Sequence, residues 1–93
     1  MSKTIWKYAV PYRHDTRWTF MFPGISPISP KVLHLGMQAG IPCLWVEVEP
    51  DLESGWTRSF EWVGTGHEVP SQSEYVGTVQ DSGLVFHLYE VKW

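Results

Sequence analysis

Apolar residues recur at every second position over short stretches, and no stretch sustains a helical period across ten or more positions. Residues 4–10, TIWKYAV, set Trp6, Tyr8 and Val10 against Ile5, Lys7 and Ala9. Residues 17–22, RWTFMF, put Trp18, Phe20 and Phe22 on one side with Arg17 and Thr19 on the other. Residues 31–38, KVLHLGMQ, group Leu33, Leu35 and Met37. Residues 41–49, IPCLWVEVE, turn Leu44, Val46 and Val48 inward and Cys43, Trp45, Glu47 and Glu49 outward. Ala39 and Gly40 supply a tight turn between those two segments, the strongest hairpin signal in the chain. Further on, residues 56–63 align Trp56, Arg58, Phe60 and Trp62. Residues 75–80 form a shorter run, and residues 84–91 oppose Leu84, Phe86 and Leu88 to Val85, His87, Tyr89 and Val91.

Six or seven short antiparallel strands joined at such intervals predict an all-β fold, a small sandwich or barrel with little or no helix. The 93 residues make one domain spanning 1–93. Within it, residues 11–30 read as an extended, polar and Pro-rich loop or arm, because three prolines in PGISPISP remove backbone donors. A short helix in 23–31 or 68–75 is the competing assignment, with poor apolar patterning.

Composition adds one feature to this picture. Six Trp, four Tyr and four Phe are more large rings than a 93-residue core easily hides, and the surplus points to a ligand face or an oligomer interface. The formal charge is −3 without a basic run, which excludes the footprint of a long-nucleic-acid binder. A single cysteine, Cys43, rules out an intrachain disulfide, and the four histidines lack paired metal-ligand spacing, so neither metal nor cofactor is expected. No apolar run is long enough to span a bilayer, and the N-terminus lacks a secretory core; a cytoplasmic, soluble protein is expected.

Two constellations carry candidate chemistry. Arg58 shares a strand face with Trp56, Phe60 and Trp62, where patterning prefers an apolar residue. A guanidinium among rings suits a phosphate beside a stacked base; its structural alternative is an ion pair at the core edge. Residues 64–67, GTGH, offer two glycines whose amides can turn toward an anion, with donors on Thr65 and His67; the alternative is a plain corner. Arg17 and Trp18, after the cluster Arg13, His14 and Asp15, are placed to complete a site from the first loop. No nucleophile–base pair is legible, so no catalytic residue is assigned.

The segments TIWKY, KVLHLGMQAGIPCLWVEVEP and RSFEWVGTGHEVPSQSEYVGTVQDSGLVFHLYEV, in this order, resemble a family of short proteins of unassigned function encoded largely by bacteriophages and prophages. RHDTRWTFMFPGISPISP departs from it, as a longer link between the first strands. The resemblance implies phage origin and a compact β fold, and it suggests by analogy a role against bacterial defence. Together the residues and this context lead to one expectation: a non-enzymatic homo-oligomer that sequesters a small nucleotide signal of cyclic dinucleotide or cyclic ADP-ribose type. Its ligand-binding residues would be Arg58, Thr65, Gly66, His67, Trp56, Trp62, Arg17 and Trp18. A β-rich protein-interaction module is the alternative, and a hydrolase of the same signals a third.

Overall fold

Two sheets face one another in the computed structural model, which describes residues 3–11, 17–24, 30–51 and 55–92. The first contains β1 (Thr4–Ala9), β4 (Ile41–Val48) and β3 (Lys31–Gln38), in the order β1-β4-β3. The second contains β2 (Arg17–Pro23), β5 (Gly55–Gly64), β7 (Leu84–Val91) and β6 (Ser73–Asp81), in the order β2-β5-β7-β6. Every neighbouring pair is antiparallel. The all-β expectation holds, and of its two forms the structure is a sandwich.

The alternation of the sequence becomes the two faces of each sheet. Val10, Leu35, Leu44, Val46 and Val48 meet Phe22, Phe60, Trp62, Val79, Phe86 and Leu88 in one core. At the end of the core near β1 and β2, Tyr8 meets Phe22 edge-on at 4.8 Å, and Phe22 and Phe60 lie 6.3 Å apart. At the other end Gly77 lets β6 approach β3. A Cβ there would lie 3.1 Å from the Leu35 side chain. The predicted turn at Ala39 and Gly40 forms, with φ 50° and 77°, and Ser82 and Gly83 make a second turn of the same kind at 52° and 82°.

Three expectations are corrected. Within the stretch 11–30 assigned to an arm, residues 17–23 form edge strand β2, as the alternation of 17–22 itself predicts, and its Phe22 is fully buried. The rest of that stretch, 12–16 and 25–29, lies outside the described residues. No helix forms at 68–75, where a turn runs directly into β6. Leu33 does not join Leu35 and Met37 on the inner face. A bulge between Val32 and His34 inserts one residue, so Val32 takes the inner position opposite Val46 and Leu33 is left exposed.

Candidate functional site

The ladder between β5 and β7 ends at Ser59 and Val91, so Arg58 stands one residue beyond it, on the face that carries Phe60 and Trp62. Glu90 lies opposite Phe60 on β7, which makes it the diagonal neighbour of Arg58. Arg58 donates from Nε and Nη2 to the two Glu90 carboxylate oxygens, each at 2.7 Å, and from Nη1 to the Pro30 carbonyl. Its guanidinium carbon lies 5.9 Å from the Phe22 ring centroid. Side-chain exposure is 15% for Arg58 and 9% for Glu90, so the pair is largely withdrawn from water. Lys92 extends the network, with Nζ 3.4 Å from Glu90 and 3.4 Å from Glu74.

A cleft of about 350 Å³ opens beside this pair, between edge strands β3 and β6. Its walls come from two irregularities: the bulge between Val32 and His34 on β3, and a second between Tyr75 and Gly77 on β6. Bulges re-aim side chains where a ladder is interrupted. Here they bring His34 and Tyr75 to the cleft with Lys31, Arg58 and Lys92. His34 sits 5.7 Å from the Trp45 ring, and its imidazole occupies the space over Gly36, where a Cβ would come within 2.7 Å of Nε2. Tyr75 is 56% exposed and braced edge-on by Tyr89 at 5.7 Å. The basic side chains Lys31, Arg58 and Lys92 face two acidic ones, Glu74 and Glu90. The cleft is therefore locally cationic in a chain of formal charge −3.

Burial raises the Glu90 pKa, but the hydrogen bond and charge of Arg58, followed by Lys92, outweigh it and hold the carboxyl below its ordinary value of 4.5. The unfolded chain then binds the extra proton first. The pair's contribution to stability is present above pH 4.5 and is lost as pH falls through the lower folded value. Urea midpoints measured from neutral pH into the acid range should drop more steeply below pH 4.5 in the native protein than in Glu90→Gln.

The residues singled out in the sequence divide among several places. Arg17, Trp56 and Arg58 line a second hollow of about 480 Å³, which shares Arg58, Glu90 and Lys92 with the first. Strand alternation puts Arg17, Thr57, Ser59 and Val91 on the outer face, so the Arg58–Glu90 pair forms the wall between the two hollows. Within the second, Arg17 is committed to Glu61 at 2.9 Å. Trp18 is half-buried against the core. Trp62 is buried, with Nε1 donating to the Pro11 carbonyl at 2.7 Å, and so forms no part of a ligand surface. Trp6 and Trp45 stand on β1 and β4, so the indoles among the described residues do not converge in one cavity. Arg13, His14 and Asp15 lie outside the described residues.

Thr65, Gly66 and His67 fall at the far end of β5. Seven residues of extended chain separate Arg58 from Thr65, roughly 23 Å at strand rise. The His67 amide donates to the Gly64 carbonyl at 3.0 Å, and Gly66 has φ 90°, so the loop is a tight corner with one of its amides already used. Thr65 and His67 line a separate, mostly apolar hollow of about 510 Å³ with Gly83, Leu84, Val85 and Phe86. Lys31, His34, Tyr75, Glu90 and Lys92 were not found by sequence reasoning. Only Glu90 carried a signal, as a carboxylate in phase with Phe86 and Leu88 on an inward face.

Among the described residues no group of His, Cys, Asp and Glu is arranged to hold a metal ion, and no helix is long and apolar enough to cross a membrane. Over residues 1–93 the chain matches a family described as a domain of unknown function, DUF7352, and it belongs to that family. No curated protein and no solved structure matches it.

Proposed function

Since the family carries no assigned activity, we propose from the cleft itself that the protein binds and sequesters a small phosphorylated nucleotide without turning it over. The observation that carries this reading is the pair of facing bulges, which hold an exposed ring and several cations around one hollow. Its volume lies within the range of small-molecule sites. Lys31 and Lys92 would meet the phosphate, and Tyr75 would stack on the base. Arg58 keeps two further N–H groups after its three internal bonds, and these would add to the phosphate contacts. Glu90 holds the guanidinium in place. The cyclic dinucleotide or cyclic ADP-ribose class, the phage origin and the role against bacterial defence belong to this proposal through the resemblance. Association into a homo-oligomer belongs to it too, supported by Ile5 and Trp6 exposed on edge strand β1.

The test uses a panel of cyclic dinucleotides and cyclic ADP-ribose. Trapping predicts that one of them raises the melting temperature and is released intact on heating. The combined substitution Lys31→Ala and Lys92→Ala should weaken that ligand roughly tenfold without altering the free protein's melting by more than a few degrees. An altered ligand on release would make the protein a hydrolase instead. No stabilisation across the panel would favour the interaction module.

A further inference from the structure

From Tyr75 beside the Arg58 cleft to Thr65 past the far end of β5, four side chains form one hydrogen-bonded chain on the outer face of the second sheet. Tyr75 Oη lies 2.6 Å from Thr78 Oγ1, and Thr78 Oγ1 lies 2.9 Å from His87 Nδ1. His87 Nε2 in turn lies 3.1 Å from Thr65 Oγ1. The register explains the assembly: Thr78 is directly opposite His87, and Thr65 follows the last residue of β5.

Such a chain runs in one of two directions, because a neutral imidazole has one N–H and one acceptor nitrogen. In one direction Thr65 gives its proton to Nε2, and His87 is poised as a base behind a threonine nucleophile. In the other, Tyr75 donates to Thr78 and Thr78 donates to Nδ1. Nε2–H then donates to Thr65, and the Thr65 proton is left with no acceptor among the described residues. A phenol is a stronger donor and a weaker acceptor than an aliphatic alcohol, so Tyr75 sets the second direction and each bond reinforces the next.

We propose that Thr65, held as an outward donor by the Tyr75–Thr78–His87 chain, makes the adjoining hollow a binding site for a small apolar molecule bearing an uncharged carbonyl group. The hollow is lined by Leu84, Val85 and Phe86, which take the apolar body. Among the described residues His67 is the sole titratable one that lines it and no lysine or arginine does, so no fixed positive charge there offsets a phosphate dianion. The acceptor that fits is an amide, ester or ketone oxygen. This site is separate from the Arg58 cleft, and the same direction of donation removes His87 as a base for Thr65.

Long-range proton–nitrogen correlation spectra of the labelled protein at neutral pH read the direction, and titration with hexanamide reads the site. The expected results are a His87 ring protonated on Nε2 and saturable shifts at Thr65, Leu84 and Phe86. Thr65→Val, checked for folding by its amide spectrum, should bind hexanamide about fivefold more weakly. Tyr75→Phe, which keeps the ring, should allow His87 to mix both tautomers. A native ring protonated on Nδ1, no saturable shift with hexanamide, or equal binding by Thr65→Val would each overturn the proposal.

Discussion

Phe60→Ala should remove about 4 kcal/mol of stability and lower the melting temperature by roughly 20 °C. Phe60 is fully buried at the centre of the core, 5.9 Å from the Phe20 ring and 6.3 Å from that of Phe22. Truncation forfeits the transfer of a whole ring and leaves a cavity that flanking strands, tied on both sides by ladders, cannot collapse to fill. A 93-residue domain has a total of about 5–14 kcal/mol, so the variant approaches the limit of folding. Met21→Ala, on the neighbouring strand but 65% exposed, should change stability by no more than about 0.5 kcal/mol. Urea denaturation of both variants measures the contrast, and equal losses would show that the rings do not form the core described.

The second large effect is expected at Arg58. Arg58→Ala removes the bidentate partner of a carboxylate that is 9% exposed and leaves Lys92, 3.4 Å away at a more exposed position, as its compensation. Breaking a pair of this kind costs about 3 kcal/mol, mainly through the charge left behind. Replacing both members together, Arg58→Met with Glu90→Leu, should cost less than about 1 kcal/mol, because no uncompensated charge then remains. A double-mutant cycle in urea separates the two cases. If the single and double replacements were equally destabilising, the loss would lie in packing around the Arg58 stem. One consequence concerns binding: Arg58→Ala tests the fold as much as the cleft, so the exposed lysines are the better probes of ligand contact.

The strands were legible because each turns one face to a partner sheet, and period-two alternation survives wherever the ladder is regular. It fails where one residue is inserted. Nothing in KVLHLG marks Leu33 as the extra residue, since Val32 and Leu33 are equally apolar, and the cleft exists because of that insertion and its counterpart beside Tyr75. Arg58 is legible in the sequence as a charge on an apolar face. Of the rings that share its face, Phe60 and Trp62 belong to the core between the sheets, whereas Trp56 lines the second hollow. Arg58 and the Thr65–His67 corner stay apart because β5 continues from Arg58 to Gly64 before the corner begins. Glu90, 32 residues further along the chain, becomes the partner of Arg58 only through strand order.

An amide-resolved titration with the nucleotide that most stabilises the protein tests the cationic cleft most directly. Saturable shifts are predicted at Lys31, His34, Tyr75 and Lys92, with Thr65 and His67 unmoved. Shifts confined to Thr65 and His67, or no stabilising nucleotide at all, would contradict it.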